Sequence, residues 1–193
     1  MEKLKKKFFK ALELIKLNRA SVAQVYNERG ELKYSALLFF GSFVVNLVLS
    51  TLLFPSGFRA LFSKYSLWPL MIPYLAVIVM AGALCFILER AFKKKSNFEG
   101  VLNLLFHVGV FWWLTVIPQL FAVIGFLDIS ALTSLVWHLG FALMLWSLYV
   151  VLRDVLHVKE NNIVFALILA VFSYFLAQTL LGSLLIGSSY HLF

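Results

Sequence analysis

Charge is scarce in this 193-residue chain. Asp, Glu, Lys and Arg make up 13% of it, where soluble domains carry roughly 25%. Acidic residues are scarcer still, nine against 17 basic. A soluble sphere of this size could not hide a 62% hydrophobic set, so hydrocarbon must be the solvent for most of it. This excludes a disordered chain, a cytosolic enzyme and a disulfide-stapled secreted module. The single cysteine, Cys85, cannot form an internal disulfide and has no ligand set around it. It reads as a small apolar core residue. Phosphate-cradling and dinucleotide fingerprints are missing, as are a nucleophile elbow and a His-Glu-x-x-His pair. Paired carboxylates for acid–base work are missing too. No catalytic residue, no cofactor site and no metal site is expected, and the chain is not read as an enzyme. Alternation at period two is also absent, which argues against an outer-membrane barrel.

What the sequence does contain is long apolar runs. Asp, Glu, Lys and Arg are missing from 34–58, 65–88, 100–127, 129–152 and 161–193. Each run exceeds the roughly 20 residues a helix needs to cross hydrocarbon. Backbone amides in lipid must bond within their own segment, so runs of this length are helices. The expected fold is all-α, a polytopic membrane protein with a bundle of five transmembrane helices. Spans are placed near 35–54, 66–88, 101–124, 131–152 and 163–186. The links are too short for any folded domain outside the membrane, and they make sequential helices antiparallel neighbours. Two regions follow, a cytoplasmic basic amphipathic segment over 1–30 and the transmembrane domain over 31–193. No internal repeat suggests an inverted-repeat transporter.

Basic residues set the threading. The segment before the first span holds Lys3, Lys5, Lys6, Lys7, Lys10, Lys16, Arg19, Arg29 and Lys33. Arg90, Lys93, Lys94 and Lys95 lie in the second link, Arg153 and Lys159 in the fourth. Only Arg59 and Lys64 fall on the other side. The positive-inside rule then puts the N-terminus in the cytoplasm and the C-terminus outside. A cytoplasmic or inner membrane is the expected location.

Within 1–30, Leu4, Phe8, Leu12 and Ile15 recur at helical spacing, and Val22 and Tyr26 extend the row. This pattern predicts an amphipathic helix in the membrane interface, apolar side down. It is not a signal peptide, because Glu13 and Lys16 break the apolar stretch and no small-residue cleavage site follows. The segment reads as a topology-setting anchor or as a docking surface for a cytosolic partner. Lys5, Lys6, Lys7, Lys10, Lys93, Lys94 and Lys95 are the candidate contacts to anionic lipid headgroups. The lipid bilayer, rather than nucleic acid, is the partner this charge implies.

Polar residues at membrane depth are costly unless paired, so they carry the functional suspicion. They are Asn46, Asn103, His107, Gln119, His138 and Gln178. Asn103 and His107 share a helix face, and an interior cluster joining Asn46, Asn103, His107, His138 and Gln178 is the candidate site. The plain role is interhelical hydrogen bonding. A proton or ion path is the alternative, weakened because no Asp or Glu lies mid-span; a metal pocket would need better-spaced histidines. Pro73 and Pro118 bend spans two and three. Trp68, Trp112, Trp113 and Trp137 fall near headgroup depth or at helix contacts. Ser173 and Ala177 form a small-xxx-small pair, and Gly182 and Gly187 thin the end of span five.

The layout resembles the Yip family, five-span membrane proteins named for interaction with Ypt/Rab GTPases. The likeness is best over Asn97 to Leu120, "NFEGVLNLLFHVGVFWWLTVIPQL", which is similar to the family's third span: a basic link, an aromatic and a glycine, then a run closing on Pro118. The stretch "WSLYVVLRDVLHVKENNIVFALILAV" resembles the link between spans four and five, with Trp146, His157 and Ala166 in fitting places. The ending "SSYHLF" is similar to the tail of small bacterial members. The resemblance covers about residues 30–193. It implies an integral membrane scaffold or interaction protein linked to membrane organisation or trafficking, with a membrane-protein partner or a homo-oligomer. The family's long cytosolic region is replaced by a basic segment of about thirty residues, which argues against small-GTPase binding. No catalytic residues carry over. The rival is a small transporter or channel with a polar path near Asn103, His107 and His138.

Overall fold

In a computed structural model of the chain, the described residues are 9, 13, 14, 16, 18–28, 30–53, 64–123 and 130–186. Among them every regular element is helical. The helices are α1 (Arg19–Asn27), α2 (Leu32–Leu53), α3 (Lys64–Arg90), α4 (Phe98–Gly109), α5 (Val116–Val123), α6 (Ser130–Val150) and α7 (Glu160–Leu185). Among the described residues five spans are long and apolar enough to cross a membrane: Leu32–Leu49, Leu67–Arg90, Phe98–Phe121, Ala131–Val155 and Glu160–Leu185. They overlap the five expected spans, with ends shifted by a few residues.

The third span is not one helix. A 3-10 turn, Val110–Thr115, joins α4 to α5. Pro118 accounts for it. The ring has no N–H to donate and crowds the carbonyl four residues back, at Leu114, so the preceding turn tightens. Pro69 and Pro73 lie inside α3, which stays continuous. The fourth span ends differently, in a π turn over Val151–Val155. There Leu156 N–H donates to the Val151 carbonyl at 2.9 Å, and Val158 N–H to Leu152 at 2.8 Å. Two non-glycine residues close helix ends in the left-handed region, Lys93 (φ 51°) and His157 (φ 49°).

The centre of the bundle is α4. Each residue from Gly100 to Gly109 is buried, as expected of a helix apolar all round. The helices α1, α2, α3 and α6 close over it, α1, α2 and α6 most extensively. Short links keep chain neighbours in contact, yet the largest helix pair joins α3 to α7. The face of α7 that meets α3 has small residues at its seam. Ala166, Ala170 and Ala177 are buried there with Ile163 and Tyr174. The expected pair was Ser173 and Ala177. Ala177 lies in the seam, whereas Ser173 is half-buried and donates to its own helix at Ala170 (2.8 Å).

Trp112 is fully buried, so of the two expected tryptophan positions it takes the helix contact. Its ring lies 4.0 Å from Trp137, 5.1 Å from Tyr74 and 5.4 Å from Phe39. Phe39 in turn stacks on Phe106 at 4.7 Å. Two glycines make room for these rings. A Cβ on Gly109 would overlap Phe39, and one on Gly140 would stand 2.5 Å from Trp112 Nε1.

The N-terminal segment departs from its expected setting where it can be described. Val22, Val25 and Tyr26 of α1 are buried, against α4, α6 and the π turn. That apolar face rests on protein, not on lipid. The reason is Gly100. A Cβ there would overlap the Tyr26 carbonyl oxygen, so glycine alone admits this approach. Leu4, Phe8, Leu12 and Ile15, with Lys5, Lys6, Lys7 and Lys10, lie outside the described residues, as do Gly187 and the tail.

Candidate functional site

Asn103 is the polar centre of α4 and is fully buried. Its Nδ2 donates to the Val25 carbonyl of α1 at 2.8 Å, and its Oδ1 accepts from Ser35 Oγ of α2 at 2.8 Å. One amide therefore fixes three helices. His107 lies one turn on, also fully buried, with Nδ1 2.8 Å from the Asn103 carbonyl. A carbonyl only accepts, so Nδ1 carries the hydrogen.

A second group stands further along the bundle. Thr115 Oγ1, in the 3-10 turn, donates to Asn46 Oδ1 of α2 at 2.9 Å. Ser42 Oγ and the Tyr74 hydroxyl pair at 3.0 Å, joining α2 to α3. Among the described residues Gln119 Oε1 is buried without a hydrogen-bond partner. Sequence reading missed Ser35, Ser42, Tyr74 and Thr115. Serine and threonine bond their own helix easily, so composition gives them no signal.

His138 and Gln178 belong to neither group. They line a pocket of about 240 Å³ between α3, α6 and α7. Ser134 and Tyr174 supply the rest of its polar lining. Asn46, Asn103 and His107 do not line it. The side chain of His138 is exposed, and its Nδ1 donates to the Ser134 carbonyl at 2.7 Å. Gln178 Nε2 donates to the Tyr174 hydroxyl at 2.9 Å. The expected single cluster is thus three separate sites. Side chains on the same helix face share a neighbourhood, but a residue's partner across helices depends on rotation about each axis, and no spacing encodes that.

One end of the bundle gathers the polar termini. Glu99 Oε1, in the first turn of α4, accepts from Gly30 N–H at 2.9 Å. Asn97 N–H donates to the Tyr26 hydroxyl at 3.3 Å. Arg19 and Asp154 approach to 3.6 Å, an exposed pair worth about 0.2–1 kcal/mol. A polar pocket of about 490 Å³ opens here, lined by Tyr26, Asn27, Lys95, Ser96, Asn97 and Glu99. Lys93 and Lys95 are exposed beside it and Lys94 is half-buried. Burial pushes the Tyr26 hydroxyl above its ordinary value, with the Asn97 N–H offsetting part of the shift. Among the described residues no group of three His, Cys, Asp or Glu could hold a metal.

Five apolar helices around a buried polar-tied centre define the class, a multi-pass helical membrane protein. The chain matches no known family, no curated protein and no solved structure.

Proposed function

We propose that this chain is an integral membrane scaffold or interaction protein, of the Yip type, concerned with membrane organisation or trafficking. One observation carries the reading. The interior polar groups are spent on fixing helices to each other, Asn103 across α1, α2 and α4, Thr115 to Asn46, and Ser42 to Tyr74. A conduit would need such groups aligned and open along an axis. His138, the third member of the suggested polar path, instead lines a separate pocket.

In this proposal the N-terminus faces the cytoplasm, the C-terminus lies outside, and the membrane is a cytoplasmic or inner one. The basic flanks favour that sense. They meet at one end of the bundle, where Arg19 joins Asp154 and Gly30 joins Glu99. Lys93, Lys94 and Lys95 then face anionic headgroups, as Lys5, Lys6, Lys7 and Lys10 would. Each is worth about 1 kcal/mol near such a surface. The partner is a membrane protein or a second copy of the chain.

The test is purification of the full chain from native membranes in mild detergent, with two differently tagged copies co-expressed. A stoichiometric membrane protein, or recovery of one tagged copy with the other, is expected. A chain that emerges alone and monomeric, yet conducts solute in proteoliposomes, overturns the reading. In the same membranes, His107→Cys in a Cys85-free background should resist a membrane-impermeant thiol reagent.

A further inference from the structure

The pocket between α3, α6 and α7 has unusual chemistry for its depth. Seven residues separate His138 from Ala131, the start of its span, and seven separate Gln178 from Leu185, the end of its own. Both therefore lie about 10 Å inside the same end of the bundle. Spans of 24 to 26 residues outrun a hydrocarbon core of about 30 Å by a few ångströms at each end. The pocket then sits within the hydrocarbon, roughly 6 Å below its boundary.

At that depth the lining offers two acceptors beside the hydroxyls of Ser134 and Tyr174. His138 Nδ1 donates to the Ser134 carbonyl, so Nε2 of the neutral ring is a lone-pair acceptor. Gln178 spends Nε2 on the Tyr174 hydroxyl, which leaves Oε1 as a second acceptor. Among the described residues nothing donates to either atom. An acyl chain cannot donate to them, and an unmet acceptor in hydrocarbon is costly. The remaining walls are apolar or aromatic, with Trp137 and Pro73 on one side. His138, Ser134 and Phe175 are exposed, so the mouth opens sideways on the bilayer. The volume of about 240 Å³ exceeds the roughly 150 Å³ cavity that holds a benzene ring.

We propose that this pocket binds the hydroxyl end of an amphiphile from the adjacent leaflet, a lipid whose head is an uncharged alcohol. The hydroxyl donates to His138 Nε2 or Gln178 Oε1. The first part of the apolar body fills the space beside Trp137, and the rest lies in the bilayer. A phosphate head does not suit the site, since the lining holds no Lys or Arg.

Trp137 reports occupancy. The full chain in nanodiscs is titrated with 2-bromododecan-1-ol, whose bromine lies beside the hydroxyl end and quenches tryptophan at short range, and in parallel with its methyl ether, which cannot donate. Saturable quenching by the alcohol is expected, at a membrane mole fraction about tenfold lower than for the ether, the effect of one lost hydrogen bond. His138→Phe should bring alcohol and ether within twofold of each other, while His138→Gln, which keeps an acceptor, should preserve part of the difference. Gln178→Leu, on a different helix, gives a second reading should His138→Phe fail to fold. Equal or non-saturating quenching by alcohol and ether in the unmodified chain, as a water-filled pocket would give, overturns the proposal. So does discrimination that survives His138→Phe and Gln178→Leu together. None of these outcomes depends on a protein partner, so the scaffold reading stands or falls separately.

Discussion

Gly100→Ala should undock α1 while leaving the five spans in place. The added Cβ would overlap the Tyr26 carbonyl oxygen and stand 2.9 Å from Asn97 Nδ2 and 3.2 Å from Tyr26 Cδ2. Comfortable contacts lie at about 3.5 Å, so α1 must retreat by roughly 1 Å. The 2.8 Å bond from Asn103 Nδ2 to the Val25 carbonyl then leaves hydrogen-bonding range. A buried polar atom that loses its partner costs about 1–3 kcal/mol. Part of the packing of Val22, Val25 and Tyr26 goes with it. Together about 2–3 kcal/mol is lost from α1 docking, a rise of roughly 30- to 150-fold in its open population. Hydrogen exchange by mass spectrometry in nanodiscs reads this directly, in the peptide covering 19–27. Gly82→Ala is the matched control, because its Cβ meets only Phe98 Cε2, at 3.8 Å. Exchange over 19–27 that rises less than threefold in Gly100→Ala, or equally in Gly82→Ala, would refute the reasoning.

Three further outcomes follow from named contacts. The folded-state pKa of Tyr26 is raised by burial, so α1 docking is at full strength below the ordinary tyrosine value and weakens as pH rises through the raised one; exchange over 19–27 should climb above about pH 10 in the unmodified chain and stay flatter in Tyr26→Phe, and parallel profiles would contradict it. Gly140→Ala drives a methyl towards Trp112 Nε1, 2.5 Å away, and should cost about 1–3 kcal/mol; an unchanged thermal-unfolding midpoint in detergent would count against the slot between α6 and the 3-10 turn. Lys93→Gly relieves a left-handed backbone at φ 51° and should stabilise by about 1 kcal/mol, seen as a higher midpoint in denaturing-detergent titration, with no shift or a fall as the contrary result.

Much of the architecture was legible before any coordinates. Hydrocarbon imposes two strict demands, enough length to cross and no unpaired backbone, and charge-free runs satisfy both visibly. Pro118 announced a break in span three, though not that the break is a 3-10 turn over Val110–Thr115. The candidate site was read residue by residue but not as an assembly. Asn46, Asn103 and His138 were each flagged for the same reason, the cost of polarity in lipid. Ser35, Ser42 and Thr115 were not, since a hydroxyl that returns to its own helix leaves no mark on hydropathy.

Sequence by itself determined that this is a helical membrane protein of five crossings, because solvent compatibility is a property of composition summed along each segment. Only the tertiary structure decided what faces what. It laid Val22 and Tyr26 on α4 rather than on lipid. It sank Trp112 into the core and divided the polar residues into three sites. Facing depends on the rotation and close approach of whole helices, set at Gly100, Gly109 and Gly140 by missing Cβ atoms, and a local pattern of hydrophobicity carries no record of either.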